Sequence, residues 1–252
     1  GLTCEDDPPT PSGNLARPAG LAYIERDPAR TGDGPGVFRS DLLIADSEAQ
    51  GVRIAQFLAR AAEDGALEFE PLFFVPAPVA FFKLAARAPG FPTDVEVVER
   101  LGDLPARAYV LAPASGQLHV LEVGGIPYRG AATSDTNVPI FVEDLLEGDP
   151  SQVAVALERV GSSPTEDFVL VAFDGFGAEP GRLRLYAFTR VADPGPPRVV
   201  AEVPVPAGVS DVIAPTSSTG ATRRHVLVSS TATSAVTEVA VVGSPATGEL
   251  AL

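Results

Sequence analysis

One pattern, written four times along the chain, limits what it can fold into. An apolar, β-rich run ends in a small residue, a turn follows, and a second run alternates apolar with polar. The first copy is Leu42-Leu43-Ile44-Ala45, then Val52-Arg53-Ile54-Ala55-Gln56-Phe57. The second is Tyr109-Val110-Leu111-Ala112, then Leu118-His119-Val120-Leu121-Glu122-Val123. The third is Val169-Leu170-Val171-Ala172, then Leu183-Arg184-Leu185-Tyr186-Ala187-Phe188. The fourth is Val226-Leu227-Val228-Ser229, then Val236-Thr237-Glu238-Val239-Ala240-Val241. Strict alternation is the period of a half-buried strand, because successive side chains point to opposite faces. The uniformly apolar incoming runs predict strands covered on both faces. Each pair therefore reads as a hairpin, with Gly51, Gly116 and Gly181 in three of the four turns.

A shared element precedes each hairpin: Pro18-Ala19-Gly20-Leu21-Ala22, Pro92-Thr93-Asp94-Val95-Glu96, Pro150-Ser151-Gln152-Val153-Ala154 and Val209-Ser210-Asp211-Val212-Ile213. Another apolar run closes three units, at Val79 to Leu84, Ile140 to Val142 and Val199 to Val205. Each unit so holds four strands, A to D. Four-stranded antiparallel units recurring every ~40–60 residues are the signature of propeller blades. The expected fold is all-β, a β-propeller of about four recognisable blades over 17–84, 92–142, 150–205 and 209–252, behind a tether at 1–16.

In the last unit, Val199-Val200-Ala201-Glu202-Val203-Pro204-Val205-Pro206-Ala207-Gly208 looks like an outer strand and its Gly turn. Val209-Ser210-Asp211-Val212-Ile213-Ala214-Pro215 looks like an inner strand, and His225-Val226-Leu227-Val228-Ser229-Ser230 like the strand after it. Together these resemble the YVTN-type β-propeller repeat family, in a degenerate form without the name-giving tetrapeptide. The resemblance spans roughly 17–242 and is close only here. It implies blades around a central channel, and fold more than activity.

The ring poses a problem. The fourth unit has little left for strand D beyond Gly248-Glu249 to Leu252, and the Pro-rich residues 1–16 cannot supply it. Three arrangements stay open: part of a larger propeller, a small ring of four or five blades, or another layered all-β fold. Residues 25–40 read as a long polar loop, 124–139 as a second loop, and 58–72 as a short helix or a lengthened edge.

Composition excludes some functions. The formal net charge is −15, and Lys83 is the only lysine. Nucleic acid and anionic lipid both require a basic surface. Gly and Pro, 24 and 25 of 252 residues, suit many short strands joined by turns. Met is absent even from position 1, which predicts a processed or trimmed chain. Cys4 is the only cysteine, so no internal disulfide forms. It precedes the acidic, Pro-rich stretch Glu5 to Gly13 and resembles the start of a mature bacterial lipoprotein. That resemblance implies lipidation at Cys4 and an exported protein: a periplasmic or outer-membrane lipoprotein, or an extracellular one.

No nucleophile motif, P-loop or zinc spacing occurs. His119 sits where the other copies carry Arg53, Arg184 and Thr237, and reads as an ordinary polar strand position; His225 heads a strand beside Arg223-Arg224. Gly32 to Gly36 reads as a plain loop. Propeller topology does bring D–A entries and B–C turns to one rim. Asp94 and Asp211 lie at the entries, with Gln152 at the matching place, and Asp46, Glu48 and Asp174 in the turns. Clustered carboxylates suit a hard cation, Ca²⁺ above all. Their arrangement resembles the metal-dependent gluconolactonase-type propellers, which implies a lactonase or hydrolase. With no catalytic motif, the leading expectation is a non-enzymatic, cofactor-free cell-envelope propeller that presents a face to a protein or glycan. A third reading is a structural subunit completed by another chain.

Overall fold

In the computed structural model of the chain, the described residues are 17–25, 37–48, 50–61, 67–71, 80–83, 91–98, 106–123, 141–145, 151–175, 177–191, 195–214, 225–244 and 249–251. They form strands and no α-helix, and every strand pairing is antiparallel. The first sheet contains β1 (Pro18–Glu25), β2 (Val37–Asp46), β3 (Gly51–Ala61), β4 (Leu67–Pro71) and β5 (Ala80–Lys83). The second has β6 (Asp94–Val98), β7 (Ala106–Ala112), β8 (Gln117–Val123) and β9 (Phe141–Asp144) in sequential order. The third has β10 (Gln152–Ser162), β11 (Glu166–Gly175), β12 (Gly181–Thr189) and β13 (Arg198–Val205). The fourth has β14 (Val209–Ile213), β15 (His225–Ser230) and β16 (Ala235–Ala240). A separate ribbon pairs β17 (Val242–Ser244) with β18 (Glu249–Ala251).

The four hairpins are β2–β3, β7–β8, β11–β12 and β15–β16. Four details refine the expectation. Residues 58–61 continue β3 instead of turning helical, so the lengthened edge is the form adopted. The outer place of the first sheet is split, with β4 pairing the end of β3 and β5 its beginning. The loop expected at 25–40 is narrower, since Glu25 ends β1 and Val37 begins β2. The C-terminal strand β18 pairs with β17 rather than extending the fourth sheet. Residues 1–16, with Cys4, and the loop at 124–139 lie outside the described residues.

The sheets stack in chain order through their first strands. β1 lies against β6, β6 against β10, and β10 against β14. Gly20 in β1 permits the first approach, because a Cβ there would come within 2.7 Å of Asp94 Cα. Three apolar layers fill the gaps. Leu43, Val52 and Ile54 meet Val95, Val110 and Leu121 between the first two sheets. Tyr109, Leu111 and Leu118 meet Val169, Val171 and Phe188 between the second and third. Phe168, Leu170 and Leu185 meet Val212, Val226 and Val228 between the third and fourth. Alternate residues of β7 and β11 thus enter different layers, and for this reason those runs are apolar without interruption. Each fully buried Leu contributes roughly 1.5–3 kcal/mol. Among the described residues no closed ring of sheets is present.

Candidate functional site

The acids placed on the rim by sequence sit at the ends of first and second strands. There the ladder stops and backbone N–H groups need acceptors. Asp46 ends β2 and is fully buried. Its Oδ2 accepts from Arg53 Nε at 2.7 Å, and its Oδ1 from the Arg17 N–H at 3.0 Å. Asp94 begins β6. Its Oδ1 accepts its neighbour Val95 N–H at 2.9 Å, and its Oδ2 reaches the Leu157 N–H of β10 at 3.0 Å. Asp174, late in β11, accepts the Gly208 and Val209 N–H groups at 2.7 and 3.0 Å. Asp211 accepts the Val212 N–H at 2.8 Å and stands exposed. Glu48 is exposed in the turn after β2. Gln152 is buried, its Nε2 donating to Pro180 O at 3.4 Å while its Oε1 has no partner.

These acids therefore act mainly on the backbone. Asp94 and Asp174 tie neighbouring sheets together, and two residues outside the expected set do the same. Glu158 Oε2 accepts the Ala214 N–H at 3.0 Å, and Arg159 donates to Val97 O at 3.1 Å. Charged groups make these bonds stronger than neutral ones. Burial raises the Asp94 pKa above the usual carboxylate range, against its two N–H donors, and the charge of Asp211 adds to the rise. Asp94 and Asp211 are thus within electrostatic reach of each other. A hard cation needs oxygens free to turn toward it, whereas Asp46 and Asp174 are held by backbone N–H groups and an arginine. Among the described residues, no group of three His, Cys, Asp or Glu side chains is placed to hold a metal ion.

A second polar cluster escaped the sequence reading. Tyr109 Oη donates to Asp167 Oδ2 at 2.8 Å, and Arg190 Nε lies 2.9 Å from Asp167 Oδ1, all three side chains buried. Arg107, also buried, donates to the carbonyls of Thr189 and Val191. The cluster joins β7 to β11 and to the chain leaving β12. Burial pushes the Asp167 pKa up, opposed chiefly by Arg190, and burial with the Asp167 charge pushes Tyr109 far above its usual value. The signal available in sequence was a charge just ahead of an apolar run, at Arg107 and at Asp167. The same signal marks many solvent-facing positions.

His119 differs from its expected role. It is fully buried in β8, and neither ring nitrogen has a hydrogen-bond partner. Leu121 and Val123, two and four residues on, face the first sheet, and His119 shares their side of the strand. Burial pushes its pKa down to about 4. His225 is exposed, its Nδ1 2.7 Å from Glu238 Oε1. No protein-family model matches the chain, and comparison with curated proteins finds no match either.

Proposed function

We propose that this protein is a degenerate β-propeller of the YVTN type that works by binding rather than by catalysis. It is exported to the cell envelope, held there by a lipid on Cys4, and presents its surface to a protein or glycan. The observation that carries this reading is the division of labour among its side chains. The rim acids Asp46, Asp94 and Asp174 accept backbone N–H groups and so serve the framework. Large apolar side chains, Leu21, Tyr23, Val199, Ile213 and Val236, stand more than half exposed. Leu21 and Tyr23 stand two apart on β1 and so share one side of their sheet.

Sheets stacked through successive first strands support the propeller, and the four-fold sequence register supports blades. Photo-cross-linkers at Tyr23 and Val199, introduced in the cells that make the protein, are expected to capture a discrete partner or envelope glycan. A linker at exposed Glu122 serves as the control. Hydrolysis of a lactone panel in the presence of Ca²⁺, lost in Asp94→Asn, would overturn the binding reading in favour of a metal-dependent hydrolase. An unmodified Cys4 in the native protein would remove the anchor.

A further inference from the structure

The fourth sheet stops one strand short of its neighbours. The second and third sheets run through four strands in chain order, whereas the fourth ends at β16. Among the described residues, β16 pairs with β15 alone. Every second N–H and C=O group of β16 therefore points outward, away from the ladder. The nearby ribbon does not take the place beside it: β18 lies against β13 but pairs with β17.

Outer strands of the other sheets are blunted, and this one is not. β4 is five residues long, carries Glu68 and Glu70 and ends in Pro71. β9 is four residues long and ends in Glu143-Asp144. β13 holds Pro204 and a register shift against β12. Short length, charge, proline and bulges keep an edge from pairing with another chain. β16 has six residues, Ala235 to Ala240, with no proline, no lysine and an unbroken register against β15. Its one charged side chain, Glu238, meets His225 and is still 61% exposed. The third sheet carries the matching sign. Ala201 and Val203 of β13 pair with Leu185 and Leu183 and share their side, toward the fourth sheet. The two leucines are fully buried, while Ala201 and Val203 are only half-buried. Val239 of β16, packed toward the same layer, is half-buried too.

We propose that the free edge of β16 takes an extended segment of a partner protein as the fourth strand of the fourth sheet. The two sides of that place set the segment's chemistry. Its residues opposite Ala235, Thr237 and Val239 face Ala201 and Val203 and are small and apolar. Its residue opposite Glu238 faces solvent and is basic, as Arg184 meets Glu202 across β12 and β13. A second copy of the chain fits poorly. An antiparallel pair of β16 strands that keeps its faces sets Glu238 against Val236, Glu238 or Ala240, never against a base. The net charge of −15 likewise favours a basic partner over a like one. The inference rests on the binding reading above, which it deepens by naming the edge and the class of partner, and it does not depend on closure of a ring.

The test is hydrogen exchange of the full chain, read by NMR at single amides, with short synthetic peptides. A peptide alternating Val with Arg and Thr is expected to protect every second amide of β16 and to leave those of β9 as they were. Replacing its Arg by Glu is expected to weaken binding at least about threefold. Glu238→Lys, at an exposed position, is expected to reverse that preference. Methylating the peptide's ladder-forming nitrogens is expected to abolish protection. Protection that ignores the sign of the peptide's charge, or that survives methylation, overturns the proposal. So does the same protection in the free chain, because the chain's own segment then fills the edge. Protection that rises with protein concentration and no peptide overturns it too, because a second copy is then the occupant. If no peptide protects β16 while cross-linkers at Tyr23 or Val199 still capture a partner, the edge is lost and the binding reading stands. If neither responds, both are lost.

Discussion

With both ring nitrogens unpartnered inside the apolar layer, His119 stays neutral at pH 7. Its folded pKa near 4 lies below the ordinary 6.5, so the unfolded chain takes up a proton first as the pH falls. The stability linked to this group is complete above pH 6.5, declines between 6.5 and 4, and is level below. At pH 4.5 the loss is about 2–3 kcal/mol. His119→Leu is expected to raise stability at pH 7 by about 1–2 kcal/mol, since it removes unsatisfied buried nitrogens. It should also flatten the difference between urea midpoints at pH 7 and pH 4.5, and an unchanged difference would assign the acid response to other groups. Asp167 has the opposite sensitivity. Asp167→Ala leaves the buried Arg190 guanidinium without its carboxylate and is expected to cost about 3–5 kcal/mol in urea unfolding. Tyr109→Phe, which removes one hydrogen bond to the same carboxylate, is expected to cost about 1.5–3 kcal/mol.

The junctions between elements depend on single acceptors. Gly208 turns the chain from the third sheet into the fourth with φ of 76°, and a Cβ there would lie 2.6 Å from the Ala232 nitrogen. Only glycine suits that backbone. Asp174 then holds the turn by accepting two successive N–H groups. Asp174→Ala is expected to destabilise the fold by about 1–3 kcal/mol. Hydrogen exchange should show the Gly208 and Val209 amides losing protection while the centre of β11 keeps its own. Equal loss in both would mean that Asp174 acts on the whole fold and not on the junction. The hairpins themselves were readable in the sequence, because alternation and turn glycines are local signals. The split of the first outer strand into β4 and β5 was not. It depends on which half of the long β3 each segment pairs with, and no local pattern encodes that pairing.

Across the molecule, stability follows the order of the stack. Sheets that contact only their neighbours fray from the ends inward. The amides of β16, an outer strand whose side chains are half-buried or exposed, are expected to exchange well before those of β11, which is buried on both faces. Uniform exchange across the two strands would indicate one cooperative unit instead. Period and composition alone determined that this chain is all-β and that it consists of repeated antiparallel hairpins. They determined this because alternation, turn residues and apolar runs act over a few residues at a time. The tertiary structure decided which face each residue meets. It turned a polar strand position, His119, into a buried one, and turned rim acids into backbone acceptors. The reason is physical: burial, pairing and electrostatic reach depend on neighbours brought together from distant parts of the chain, such as Asp94 with Leu157 and Tyr109 with Asp167.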